Sequence, residues 1–113
     1  MPEIMTDAYR VWTEGSTLHF SGKMRLLGPD AYTPIREMMD AFLVAEEGEV
    51  KLNLTRLNFL NSSGINLLAK FTIEVRKLGR SGMVVHGSKT IPWQAKSLPN
   101  LKRLYPAMDL LID

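Results

Sequence analysis

Two serines and a glycine lie where a short apolar strand is predicted to give way to an amphipathic helix. The segment Asn61–Ile65 reads Asn-Ser-Ser-Gly-Ile, and the strand predicted before it covers Val50–Leu54. Backbone N–H groups at a helix start have no intrahelical partner and carry partial positive charge. Such a position suits a capping side chain, a bound anion or a phosphorylated serine. No other segment of the chain combines this predicted geometry with reactive side chains.

Ser62 could alternatively be a catalytic nucleophile. Acyl-transfer chemistry needs a base within hydrogen-bond reach, and the chain's two histidines are His19 and His86. Both fall in other predicted strands, at spacings that match no triad. They also match no recognised metal-ligand spacing, and the chain has no cysteine. The sequence therefore predicts a protein that is not an enzyme and has neither a metal site nor a cofactor.

Helix capping is the simplest role for the two serines. A capping side chain stabilises a helix by about 1 kcal/mol, which would account for Ser62 or Ser63 without any regulation. A capping role does not exclude modification of the same hydroxyl. Capping and phosphorylation therefore both remain open on the residues alone.

Bulk composition is typical of a small globular protein. The chain has 113 residues, of which 45% are hydrophobic, enough for one domain with a core of its own. The absence of cysteine fits a reducing compartment. The first residues lack a signal-peptide pattern, and no apolar run approaches the roughly 20 residues of a membrane helix. We expect one domain over residues 1–113, in the cytoplasm and without membrane contact.

Charge is distributed unevenly along the chain. Residues 1–50 carry four basic and nine acidic side chains, a net charge of −5. Residues 51–103 carry ten basic side chains and one acidic side chain, a net charge of +9, and the last ten residues add −2. Such asymmetry can indicate an acidic partner or nucleic acid, but a sequence segment is not a surface patch. Because no nucleic-acid-binding signature accompanies the basic residues, nucleic-acid binding is the less favoured alternative.

The N-terminal half is predicted to contain a hairpin and a helix. Polar and apolar residues alternate over Ala8–Phe20 around a turn at Gly15, which is typical of an antiparallel pair. Gly22–Pro29 resembles a connection. Thr33 is a plausible N-cap, with Pro34 at the first helical position. The helix stripe recurs at spacings of three and four residues: Ile35, Met38, Met39, Phe42 and Leu43.

The second predicted helix begins at the Asn61–Gly64 segment. Gly79 follows the last residue of its stripe, where glycine commonly ends a helix. The stripe consists of Ile65, Leu68, Phe71, Val75 and Leu78.

The remaining elements complete an alternating pattern. A third helical region is predicted from Pro92, interrupted or restarted at Pro99. Strands are predicted at Met83–His86 and Met108–Ile112. The order β-β-α-β-α-β-α-β predicts an α/β domain, with a mixed, mostly parallel sheet, an N-terminal hairpin and helices packed on it.

The segment around the serines resembles the signature of STAS domains, the fold of bacterial anti-sigma-factor antagonists. Family members typically carry Asp-Leu-Ser/Thr, a short apolar run, and Asp-Ser-Ser/Thr-Gly at a helix start. This chain has Asn53-Leu54-Thr55, then Leu57 and Leu60, then Asn61-Ser62-Ser63-Gly64. The predicted element order is similar along nearly the whole chain, although the motif itself covers about a dozen residues.

The resemblance implies a regulatory module that binds a protein partner and is not an enzyme. In such systems an anti-sigma-type serine kinase phosphorylates the serine after the motif aspartate, the modified protein releases its partner, and a metal-dependent phosphatase restores it. Carried onto this chain, Ser62 is the phosphoacceptor, with Ser63 as second choice. The partner-binding residues would be Asn61, Ser62, Ser63, Gly64 and Ile65.

Both family aspartates are asparagine here, at Asn53 and Asn61. Asparagine retains the size of aspartate and can cap a helix, but it lacks the negative charge beside a kinase site. A STAS-like docking or sensing domain that functions without phosphorylation is therefore the alternative.

Overall fold

The computed structural model describes residues 3–79 and 82–113. These residues form a domain built on one six-stranded mixed sheet. Its strands are β1 (Glu3–Met5), β2 (Tyr9–Glu14), β3 (Thr17–Met24), β4 (Val50–Leu60), β5 (Met83–Gly87) and β6 (Asp109–Ile112). The helices are α1 (Gly28–Ala31), α2 (Thr33–Ala45), α3 (Ser62–Leu78) and α4 (Pro92–Leu104). Strand order follows the sequence, with β1–β3 antiparallel and β3–β6 parallel. The predicted α/β class and the N-terminal hairpin are confirmed.

The core lies on one face of this sheet. Because β3–β6 are parallel neighbours in sequence order, right-handed crossovers place α2, α3 and α4 on the same side. The strand side chains buried beneath them include Val11, Leu18, Phe20, Leu52, Leu54, Met83 and Val85. The opposite face carries mostly polar or half-buried side chains, among them Arg10, Trp12, His19, Lys51, Asn53 and His86. Among the described helices, none is long and apolar enough to cross a membrane.

Strand β4 is much longer than predicted. It pairs with β5 only as far as Asn53, yet it continues along β3 until Leu60 pairs with Met24. Two register shifts against β3 accommodate the extra β4 residues. The prediction of a short strand followed by a polar turn is therefore wrong, because β3 pairing extends the strand to the residue before Asn61.

Helix α4 supplies hydrogen-bond donors to the part of β4 that has no β5 neighbour. The fully buried Gln94 donates from Nε2 to the Leu54 carbonyl at 2.6 Å and to the Leu57 carbonyl at 3.1 Å. Trp93 Nε1 donates to the same Leu57 carbonyl at 2.8 Å. Gln94 Oε1 accepts from the Ser88 N–H at 2.7 Å, so one side chain joins β4 to the loop after β5. Backbone groups that would otherwise be buried without partners are satisfied in this way.

Two predicted helix signals are displaced in the structure. Thr33 is not the N-cap of α2 but its first residue; Tyr32 precedes it in a helical conformation. The chain enters α2 directly from the single turn of α1, so no side-chain cap is used. Pro99 does not interrupt α4, which continues through it, with the proline exposed to solvent.

Three further boundaries differ from the sequence prediction. Strand β1 was not predicted; it adds an edge to the hairpin through pairs such as Ile4 with Val11. The predicted connection from Gly22 begins later, because β3 reaches Met24. Leu78 is half-exposed rather than part of the buried stripe of α3. Gly79 does end α3, as predicted, and it adopts the left-handed conformation that is common at helix ends.

We expect Gln94→Leu to lower the free energy of unfolding by about 2 kcal/mol or more. Leucine nearly conserves the volume but leaves a buried N–H and a buried carbonyl without their partner. Urea denaturation followed by circular dichroism measures the change. Lys96→Leu, at an exposed position of the same helix, is the control and should change stability by no more than about 0.5 kcal/mol. Equal stabilities of the two variants would contradict the assigned role of Gln94.

Candidate functional site

Asn61, and neither serine, caps the helix that follows β4. It has an extended backbone conformation, and its Oδ1 accepts from the Gly64 N–H at 3.1 Å. Ser62 and Ser63 are the first two residues of α3 and lie inside the helix. The interpretation of the two serines as caps is therefore wrong.

Asn61 also joins three other segments to this helix start. Its Oδ1 accepts from the Tyr32 hydroxyl at 2.6 Å, and its Nδ2 donates to the Leu26 carbonyl at 2.8 Å. Its backbone N–H donates to the Met24 carbonyl at the end of β3, at 3.2 Å. A carboxylate has no hydrogen to donate to the Leu26 carbonyl. The amide therefore fits this position better than the aspartate of the STAS motif.

The two serines have different surroundings. Ser62 is exposed, and its hydroxyl makes no hydrogen bond to any residue that the structure describes. Ser63 is half-buried and lines a cavity of about 290 Å³, together with Thr33, Arg36 and Lys70. The first turn of α3 contains no acidic residue, so the positive end of the helix dipole is not neutralised there.

Gly64 and Ile65 lie further inward. Gly64 is buried, and a Cβ atom there would lie 2.8 Å from the Tyr32 hydroxyl and overlap the Leu60 side chain. The glycine thus allows α3 to pack closely on Tyr32 and Leu60. The exposed surface of this helix start is formed by other residues, Ser62 among them. Ile65 is half-buried and packs against the core.

The other two motif residues lie far from the serines. Asn53 Oδ1 accepts from the Thr55 N–H at 3.0 Å and from the Thr55 hydroxyl at 2.7 Å, next to the first register shift of β4. Both line a depression of about 510 Å³ on the open face of the sheet. At about 3.3 Å per strand residue, roughly 23 Å separates Asn53 from the end of β4 at Leu60. Their contacts shape the strand rather than the helix start.

The structure brings neither histidine to the serines. His19 and His86 both pair in register with Asn53, in the middle of the sheet. The His19 ring stacks on Trp12 with centroids 5.0 Å apart, and His86 Nε2 lies 2.8 Å from an Asp113 carboxylate oxygen. A hydrolase-type triad at Ser62 has no histidine base in this arrangement.

The basic residues of the second half lie on several elements, and some of them donate hydrogen bonds to backbone carbonyls of the fold. Arg76 donates to the Leu104 carbonyl at 2.8 Å, at the end of α4. Lys102 Nζ donates to the carbonyls of Pro106 and Met108, at 2.9 and 2.6 Å. Lys70 lies on α3 beside Ser63, whereas Arg80 lies outside the described residues. A basic sequence segment therefore does not translate into one basic surface.

Sequence reasoning missed Tyr32, Leu26 and Arg36 as neighbours of the serines. The contact from Tyr32 to Asn61 spans 29 residues. No local pattern around Tyr32 signals it, because the contact follows from the packing of α2 beside α3.

Comparison with known proteins indicates the fold. No protein-family model and no curated protein matches the chain. A chain in the crystal structure of the diguanylate cyclase SiaD with its activator SiaC from Pseudomonas aeruginosa matches with TM-score 0.72 and 16% identity, covering 99% of this chain and 98% of that one.

Two further structures of SiaC from the same organism match over the full length of this chain. One has TM-score 0.71 at 15% identity and is covered to 98%. The apo form has TM-score 0.73 at 13% identity and is covered to 99%. Identities this low establish the shared fold alone, and membership of the STAS family stays a prediction.

Replacing Asn61 by alanine should lower the free energy of unfolding by about 2 kcal/mol, since the cap and the link to Tyr32 and Leu26 are lost together. Ser62→Ala is the matched control and should change stability by no more than about 0.5 kcal/mol. Thermal and urea denaturation compare the two variants. A larger loss for Ser62→Ala than for Asn61→Ala would show that Ser62 is the cap.

Alkaline pH should weaken the Tyr32 contact. Burial raises the pKa of Tyr32 above the ordinary tyrosine value of 10.0, and a backbone hydrogen bond at Leu26 offsets part of that rise. Because the folded-state pKa is the higher one, the contribution of Tyr32 is complete below pH 10 and is lost as the pH rises through the folded-state value.

Tyr32→Phe should therefore cost about 1 kcal/mol at neutral pH, and the difference from the wild type should shrink above pH 10. Denaturation between pH 7 and pH 11 measures both effects, and Tyr105→Phe serves as the control for loss of a tyrosine outside this network. A constant difference across that range would refute the assignment.

Proposed function

We propose that this protein is a regulatory protein-binding module, not an enzyme, whose partner contacts the exposed surface of the segment Leu60–Gly64, where β4 ends and the first turn of α3 begins. Phosphorylation of Ser62 would weaken that contact. The proposal rests on one observation: Ser62 is exposed and makes no hydrogen bond to the part of the chain that the structure describes, at a helix start that Asn61 already caps. Modification of Ser62 therefore need not remove a contact on which the fold depends.

The electrostatics of the helix start favour a change in binding over a change in fold. A phosphate adds about −1.5 to −2 charges and three acceptor oxygens. The N-terminal dipole of α3 accommodates negative charge, and no acidic side chain in its first turn opposes it. A complementary partner surface would instead meet new bulk and a charge that must be desolvated, so the complex would weaken.

Two likenesses support a protein partner. SiaC, which has the same fold, is the activator of a diguanylate cyclase and forms a complex with it. The resemblance of the serine segment to STAS domains implies a serine kinase of anti-sigma type as partner, and a metal-dependent serine phosphatase that reverses the modification. Under this proposal the module acts in the cytoplasm, in a signal-transduction pathway that regulates transcription.

A docking module without phosphorylation is the second candidate. One observation favours it: Asn61 provides the donor to the Leu26 carbonyl, and this side chain places no carboxylate beside Ser62. The partner would then bind to the exposed residues of the segment Asn61–Ile65 by shape complementarity. Ser62→Asp would leave the affinity for that partner unchanged.

Incubation with serine kinases encoded beside this protein, with Mg-ATP, distinguishes the two candidates. Intact-mass analysis should show one added phosphoryl group on the wild type and on Ser63→Ala, and none on Ser62→Ala. Ser62→Asp should raise the dissociation constant for the kinase on the order of tenfold, because the partner surface would have to accept an unpaired charge.

The phosphorylation proposal fails if these kinases bind but add no mass and Ser62→Asp binds as the wild type does. A phosphoryl group added to Ser62→Ala but not to Ser63→Ala would move the site to Ser63.

A further inference from the structure

A groove runs between α2 and α3 on the surface away from the sheet. Both helices cross back between parallel strands, so they point in the same direction. Two cavities, of about 290 and 440 Å³, share Arg36, Leu67 and Lys70 and form one continuous depression, the α2–α3 groove. It begins at Ser63 and ends at Val44 and Leu78.

Charges are layered along this groove. Arg36 and Lys70 line both cavities and form the basic layer. Asp40 and Glu74, each four residues further along its helix, line only the cavity that ends at Val44 and form the acidic layer. All four residues are exposed, and none makes an ion pair with another residue of the described chain.

The far end of the groove is apolar. Val44 is 81% exposed and Leu78 is 52% exposed, although both lie on helices whose other large apolar residues are mostly buried. Removing apolar surface from water stabilises a complex. An occupant that covers these two side chains therefore gains free energy.

We propose that the α2–α3 groove is the interface of a homodimer. A two-fold axis between the basic and the acidic layer reverses the direction of the partner helices. Arg36 and Lys70 of each copy then face Asp40 and Glu74 of the other, so each of the four charges gains an opposite-charge neighbour on the second copy, in addition to the one four residues away on its own helix.

The same axis places the apolar end of each groove over the beginning of the other. Val44 and Leu78 then meet the part of the partner's groove that the exposed Pro29, Asp30 and Asn66 line, with the half-buried Thr33 and Ser63 beside them. A second copy is favoured over an occupant of uniform charge, because a polyanion would match the basic layer and be repelled by the acidic one.

The assembly adjoins the proposed partner site, since Ser63 lines the beginning of the groove and Ser62 precedes it. It requires neither phosphorylation nor a second protein. Self-association of the purified chain therefore tests it independently of the proposed function.

Sedimentation velocity over a concentration series should show a reversible monomer–dimer equilibrium that weakens as salt is raised, because the ion pairs lie at a partly solvated interface. Two double variants should each raise the dimer dissociation constant at least about tenfold: Arg36→Glu with Lys70→Glu, and Asp40→Lys with Glu74→Lys. An equimolar mixture of the two should form a heterodimer, since the reversed layers again face opposite charges.

Lys89→Glu with Lys96→Glu is the matched control, because these two exposed lysines lie outside the groove, and it should leave self-association unchanged. Circular dichroism should show all variants folded, as every substituted side chain is exposed. A wild type that stays monomeric at every concentration would overturn the proposal. Charge-reversed variants that dimerise as the wild type does, or that do not associate when mixed, would also overturn it.

Discussion

The side-chain amide of Asn61 is the constraint on which the serine-bearing helix start depends. It accepts from the Gly64 N–H and the Tyr32 hydroxyl on one side and donates to the Leu26 carbonyl on the other. The same group therefore caps α3 and ties it to the segment between β3 and α2. Since the cap is supplied by the residue before the helix, α3 can begin without a hydrogen bond from the Ser62 hydroxyl to any of the described residues.

The position of Asn61 depends in turn on the length of β4. Past Asn53 the strand has β3 on one side only, and buried carbonyls on its other side need donors. Gln94 and Trp93 supply these donors from α4. A helix remote in sequence therefore supports the strand whose C-terminal end positions Asn61. The side-chain amide of Gln94 can be buried at little cost because both its donor nitrogen and its acceptor oxygen form hydrogen bonds.

Sequence patterns correctly predicted the features that depend on residues close together in the chain. The stripe of α2, the stop at Gly79 and the N-terminal hairpin follow from periodicity and backbone preference, and all three are present. The end of β4 was missed because pairing with a distant strand decides it, and α4 continues through Pro99, where a proline predicts an interruption. Three consecutive polar residues could each have capped α3, and the contact with Tyr32 singles out Asn61.

The adjacent serines differ in exposure because of where α3 begins. One residue along α3 turns a side chain by about 100°, enough to separate an exposed hydroxyl at Ser62 from a half-buried one at Ser63. A phosphate on Ser62 would face solvent and act on whatever docks there. A phosphate on Ser63 would lie in the cavity that Arg36 and Lys70 line, where it would offset their charge within the molecule. The position of the cap thus sets which of the two serine side chains is exposed and which lies in the cavity.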